Sequence, residues 1–271
     1  MELTKKNIID LADWYEDAGL FAEARELYGF APTNVIARVR LAYLEHRAGD
    51  DAAAARVLKE AAGLSVRFAF PFRRATRAAL AWAAEADASW KFRYLLAVQR
   101  AAQGGSAAEV DALLARCDDA DDAVVYHFRA LRGSGAERRV DLRRAADLED
   151  GWRIGRDLAR SYADEKNWEE AVRTAQDYLA RFPGNSPLGM LYVKALCGLK
   201  RFDDAVKFLE GMRVLPSENS NDAHALWQEA WAGVARQALA VKDAAKADAA
   251  LIRRAEYPEN LGRGKPFPKD E

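Results

Sequence analysis

Between residues 158 and 171 the chain reads Leu158-Ala159-Arg160-Ser161-Tyr162-Ala163-Asp164-Glu165-Lys166-Asn167-Trp168-Glu169-Glu170-Ala171. Leu158-Ala159 and Tyr162 share one helical face, Glu165-Lys166-Asn167 breaks the helix, and Trp168-Glu169-Glu170-Ala171 opens the next. That second helix runs to Phe182-Pro183. Thirty-four residues after Ala171 stands Ala205, in Arg201-Phe202-Asp203-Asp204-Ala205, and Pro216 closes that unit. An aromatic residue three positions before an alanine, recurring at this interval, predicts a repeat of paired helices. The ring fills the gap between helices, and the alanine lets their backbones approach.

The same spacing appears further out. Ala12, Tyr15, Gly19, Phe21 and Ala24 fit a helix–turn–helix ended by Pro32, and Leu41-Ala42, Gly49 and Ala54 form a weaker copy. Another runs through Val98, Gly105 and Val110, and residues 121–148 read as a shorter pair broken at Gly133-Ser134-Gly135. A long helix near 222–240 and one near 243–255 make the last pair. The expected fold is all-α, a right-handed α-solenoid of about fifteen helices. Its sections are 1–62, a degenerate 63–150, a second regular array at 151–255 and a tail at 256–271. Thr33, Asp50, Ser89, Ser106, Asp121 and Asp150 are the expected helix caps. Phe68-Ala69-Phe70-Pro71-Phe72, in the irregular segment 64–72, is too aromatic for a solvated loop. The tail from Tyr257 cannot continue a helix and is expected to be extended.

Composition narrows the function. Half of the 271 residues are hydrophobic and 31% are charged, enough apolar content for a packed chain. A net charge of −1 gives no global attraction to nucleic acid or anionic membrane, and neither is expected as a partner. No apolar run reaches the ~18 residues needed to span a bilayer, and Met1–Asn7 lacks the apolar core of a signal peptide. With only Cys117 and Cys197, a reducing cytoplasm is the expected location.

The units around Ala24, Ala171 and Ala205 resemble tetratricopeptide repeats, which implies a protein- or peptide-binding scaffold. A narrower resemblance rests on Phe70-Pro71-Phe72-Arg73, on Ala88-Ser89-Trp90-Lys91 with Tyr94-Leu95, and on Val214-Leu215-Pro216. Above all it rests on Tyr257-Pro258-Glu259-Asn260-Leu261-Gly262-Arg263-Gly264-Lys265-Pro266. Together these are similar to the C-terminal helical part of large bacterial proteins whose N-terminal β-rich domain has the look of a carbohydrate-active enzyme. That resemblance implies an alternative function as an accessory module of such an enzyme, with the β-rich domain as partner. Under it the Phe68–Phe72 loop would be a docking surface; in a groove-binding scaffold it would be buried among the repeats.

No enzyme motif, cofactor motif or metal-ligand cluster stands out. His46, His127 and His224 are far apart, and Cys117 and Cys197 read as small buried hydrophobes rather than nucleophiles. Asp118-Asp119-Ala120-Asp121-Asp122 lacks the spacing of a calcium loop and reads as capping. Arg73-Arg74-Arg77 and Arg138-Arg139-Arg143-Arg144 lack a regular base-reading position per repeat. Trp82, Trp90, Trp227 and Trp231 read as core. In tetratricopeptide units the first helix of each pair lines the concave groove, and the resemblance places Arg153, Arg156 and Arg160 on that face. Lys194 stands at the matching position of the next unit. These four are the candidate groove-binding residues, suited to an acidic partner segment. The alternative is that the arginines are solvated or pair with Asp157 and Asp164.

Overall fold

The computed structural model describes residues 5–216 and 221–264, with side chains from residues 8–216 and 222–264. Among the described residues there are fifteen α-helices, one 3-10 turn and no strand, as the helical periodicity predicts. None of these helices is long and apolar enough to cross a membrane. The chain forms two compact units, Met1–Val125 and Tyr126–Glu271.

The first unit holds α1 (Lys5–Asp17), α2 (Phe21–Gly29), α3 (Val35–Arg47), α4 (Asp51–Ala62), α5 (Arg74–Ala86), α6 (Trp90–Ala102) and α7 (Ala107–Ala115). Helices α1 to α4 pack each on the next, as do α5 to α7, and α3 packs on α5. A charged cluster lies inside this packing. Arg40 of α3 is buried, pairs with Glu16 and Asp13 of α1, and donates to Thr76 Oγ1 of α5 at 2.9 Å. The Tyr28 hydroxyl donates to Asp13, and burial pushes its phenol well above the ordinary range. Because its members partner one another, this cluster locks α1, α2, α3 and α5 together. An arginine inside the apolar run of α3 gave no sign of this in the sequence.

The boundary between units falls within α8 (Ala123–Arg132). The second unit continues with α9 (Gly135–Leu148), α10 (Trp152–Asp164), α11 (Trp168–Arg181), α12 (Ser186–Gly198), α13 (Phe202–Gly211), α14 (Asn221–Ala240) and α15 (Ala244–Arg254). Each helix from α9 packs on the next, and the first helices of successive pairs, α10, α12 and α14, also pack in series. That two-step pattern is what a repeat of helix pairs produces.

Aromatic rings set the close approaches. A Cβ on Gly198 would fall inside the Trp168 indole, one on Gly233 inside the Phe202 ring, and one on Gly155 inside the Tyr178 ring. Glycine is therefore required at these places by space rather than by turn geometry. Ala171 and Ala205, each three residues after such a ring in sequence, are fully buried.

Several turns inside pairs hold a residue with positive φ: Gly19, Gly49 and Gly104 in the first unit, but Lys166, Lys200 and Lys242 in the second. Side-chain caps start many helices. Asp50, Ser89 and Ser106 act as expected, Ser106 in a full capping box with Glu109. Three expected caps do not. Asn34 rather than Thr33 caps α3, because only its carboxamide reaches the Ala37 amide, at 2.9 Å. Asp121 instead accepts from the Trp90 indole at 3.2 Å, and Asp122 accepts from the Val124 amide. Asp150 lies one residue outside the N-cap of α10, Gly151, and pairs with Arg181.

Two irregular segments also depart from expectation. The Phe68–Phe72 loop is anchored by buried Val66 and Pro71, yet Phe68, Phe70 and Phe72 are 91%, 70% and 68% exposed. Alternation sends the prolyl ring inward and the phenyl rings out. The tail is not simply extended: Glu259–Leu261 forms a 3-10 turn that docks on its own unit. The Asn260 side-chain amide donates to the carbonyls of Leu209 (2.9 Å) and Met212 (2.7 Å), Leu261 is buried, and Tyr257 stacks on His224. Lys265 and Pro266 of the tail motif lie outside the described residues.

Substitutions at the contact points test this packing. Ala171→Leu and Ala205→Leu are each expected to destabilise the fold by about 1–3 kcal/mol through overpacking. Ala244→Leu, on an exposed position, is expected to be nearly silent. Gly198→Ala should also destabilise despite the ~1 kcal/mol gain in helix propensity. Gly211→Ala, with open space around its Cβ, should stabilise by about 0.4–1 kcal/mol. Denaturant melts of the five variants check this, and equal effects at Ala171, Ala205 and Ala244 would contradict the repeat register.

Candidate functional site

The faces of α10, α12 and α14 that pack in series enclose a groove of about 400 Å3. Each helix contributes one stripe at three- and four-residue spacing, the spacing that keeps side chains on one face. From α10 come Arg156, Arg160 and Ala163; from α12, Pro187, Met190, Leu191 and Lys194; from α14, Asp222, Leu226 and Glu229. The middle helix provides the apolar floor with Met190 and Leu191, extended by Leu226.

Three of the four candidate residues, Arg156, Arg160 and Lys194, therefore meet in one groove. Arg153 does not line it; its guanidinium lies over the Trp152 ring, 4.5 Å from the centroid. Arg156 is half-buried and committed elsewhere. Its guanidinium donates from Nε to Asp157 Oδ1 at 2.9 Å and from Nη2 to Oδ2 at 3.1 Å. Arg160 and Lys194 are exposed and have no ion-pair partner among the described residues. Asp164 pairs with Arg138 of α9 at 3.3 Å rather than with the stripe. The pairing alternative thus applies to Arg156 alone.

Asp157 is the hinge of this arrangement, 1% exposed, with His127 Nε2 of α8 at 2.9 Å from Oδ2. Burial pushes its carboxyl up. The hydrogen bond from His127 and the charge and hydrogen bond of Arg156 more than offset this and hold it below the ordinary carboxylate range. The sequence placed Asp157 beside the stripe but gave no sign that α8 supplies a histidine to it.

The cationic wall faces acidic residues. Asp222 and Glu229 stand on α14, across the apolar floor, and neither has an ion-pair partner among the described residues. This second wall went unread in the sequence. A second cavity of the same unit, about 540 Å3, lies between α11, α12 and α13 over Tyr192, Phe208 and Met212, with Lys207 and Arg213 at its rim. In the first unit a cavity of about 450 Å3 lies beneath the exposed phenylalanine loop, against Ile36, Tyr28 and Arg40.

The remaining candidates resolve into packing. Cys117 and Cys197 are buried, and burial pushes the Cys197 thiol up to about 12. His46 pairs with Asp51 and stacks on Trp82; His224 is buried, with Nε2 3.0 Å from the Glu256 carbonyl. Arg138 and Arg139 pair with Asp164 and Glu165, and Arg143 donates to the Tyr162 hydroxyl. Trp227 is buried, packs edge-on against Trp231 at 5.6 Å, and donates from its indole to the Arg253 carbonyl at 2.8 Å.

Serial packing of first helices around a shared groove defines a helical-repeat protein. Residues 162–226 match the tetratricopeptide repeat family. The crystal structure of the C-terminal part of a TPR repeat-containing protein from Cytophaga hutchinsonii is similar over 91% of this chain and 93% of that one, at 12% identity and a TM-score of 0.50. A tetratricopeptide repeat protein from Parabacteroides merdae is 12% identical over 96% of this chain and 94% of its own, with a TM-score of 0.43. No curated protein matches the sequence.

Asp157→Asn, which keeps the shape and removes the charge, is expected to cost about 1–3 kcal/mol at neutral pH by leaving Arg156 and His127 without their anion. A carboxyl whose folded pKa lies below its unfolded value of ~3.9 stabilises above that pH and loses the contribution as pH falls through the lower folded value. The gap between wild type and Asp157→Asn should therefore be full above about pH 5 and shrink in stronger acid. A gap unchanged down to pH 2 in denaturant melts would contradict the pairing.

Proposed function

We propose that this chain is a non-catalytic scaffold that binds a protein or peptide partner in the groove of α10, α12 and α14, through an acidic residue of the partner seated at Arg160 and Lys194. The observation that carries this reading is the pair of cations, without an ion-pair partner among the described residues, beside an apolar floor. Two cations on adjacent helices, already held apart from carboxylates of their own unit, cost little reorganisation to engage one from outside. Arg156, tied to Asp157, supports the wall rather than the ligand.

One observation favours the second reading, an accessory module that docks a β-rich carbohydrate-active domain. Three exposed phenylalanines on an anchored loop are an apolar surface of the kind that meets another protein. Phe68 also holds a positive φ, a strained conformation for a residue with a bulky side chain.

Calorimetric titration with a synthetic peptide of glutamate and leucine residues tests the first reading. Binding should weaken as salt rises, because at ~0.15 M the Debye length is about 8 Å and only seated charges keep their attraction. Arg160→Ala with Lys194→Ala should weaken it by about 0.5–2 kcal/mol, the scale of two part-exposed ion pairs, with little change in melting temperature. Lys207→Ala with Arg213→Ala should leave it unchanged; a loss there instead would move the site to the cavity over Phe208. Phe68→Ser with Phe72→Ser should also leave it unchanged. Absence of binding by wild type would overturn the proposal.

A further inference from the structure

The groove is not a basic one, and its ligand should not be simply acidic. Among its lining residues without an ion-pair partner among the described residues, Arg160 and Lys194 are cationic and Asp222 and Glu229 are anionic. The cations stand on α10 and α12, and the anions stand on α14. Since α12 packs against both α10 and α14, Met190 and Leu191 lie on the helix between the two outer walls, and Leu226 adjoins them from the anionic side. An acidic segment filling this width would gain at Arg160 and lose at Glu229, because like charges repel across such distances as strongly as unlike ones attract.

We infer that the groove selects a dipolar peptide segment, with a carboxylate on the α10 side, an apolar side chain in the middle and a lysine or arginine on the α14 side. This rests on the proposed function and specifies its partner by charge complementarity. The remaining charged groups facing the groove do not change the pattern. Arg156 is neutralised by Asp157, and Asp164 by Arg138. The apolar floor supplies contact without orientation; the opposed walls supply orientation and reject the reversed segment. Rejection of the wrong charge order is how such surfaces gain specificity at modest affinity.

Three synthetic peptides of equal length around a central leucine separate the outcomes when titrated into the full chain: one acidic then basic, one acidic throughout, and one neutral. The dipolar peptide is expected to bind about three- to tenfold more tightly than the all-acidic one, the scale of two part-exposed ion pairs exchanged for repulsion. Asp222→Asn with Glu229→Gln, both on exposed positions and so expected to fold, should abolish that preference and strengthen binding of the all-acidic peptide. If the all-acidic peptide binds wild type as well as the dipolar one, and the double variant changes neither, the inference is overturned while the proposed function stands. If none of the three binds, both fall.

Discussion

The second helix of one pair meets the first helix of the next where an aromatic ring lies over a glycine: Trp168 over Gly198, and Phe202 over Gly233. An indole or phenyl ring is thick, and a helix surface carrying any side chain at that point would hold it off. Removing the Cβ creates a notch in which the ring becomes the spacer between helices, at the close-packed density of a protein interior. Ala171 and Ala205, three residues further along the same helices, are small and buried for the same reason. Trp168 and Phe202 start successive second helices, so the arrangement recurs with the repeat and carries its geometry along the second unit. In the first unit Phe21 holds the equivalent place at the start of α2. There the Arg47 guanidinium lies over it, 4.9 Å from the centroid, and the ring stays partly exposed.

That spacing determines what the first helices present. With α10, α12 and α14 packed in series, residues at three- and four-residue intervals on each align into walls, and the groove is the result. Its electrostatics follow from which charges the surrounding elements absorb. Asp157 takes Arg156, Arg138 takes Asp164, and the residues left over are the cations of α10 and α12 and the anions of α14. His127 reaches into this system from α8, so the wall is braced by a helix outside the regular pairs.

Much of this was legible in the chain. Trp168 with Ala171 and Phe202 with Ala205 located the repeat, because ring and small residue must recur wherever the same packing recurs. Helix number and the breaks at Gly133–Gly135 and Lys166 followed from periodicity. What escaped had a physical reason in each case. Lys166, Lys200 and Lys242 occupy left-handed turns where glycine is the usual signal, so those turns had to be found from what flanks them. Asn34 out-competed Thr33 by one residue, a choice only backbone geometry makes. The phenylalanines at 68, 70 and 72 read as too aromatic for a solvated loop, buried or docking, and they are exposed because Val66 and Pro71 fill the space beneath. Asp222 and Glu229 went unread, since their relation to Arg160 and Lys194 exists only once α12 lies between their helices.

The groove of α10, α12 and α14 is the proposed seat of a partner segment. Photo-crosslinking tests it most directly: a dipolar peptide with a photoreactive leucine analogue at its centre is irradiated with the chain, and the adducts are located by mass spectrometry. Adducts are expected on Met190, Leu191 or Leu226, suppressed by excess unlabelled peptide. Adducts confined to Phe68–Phe72, or to the cavity around Phe208, would contradict it.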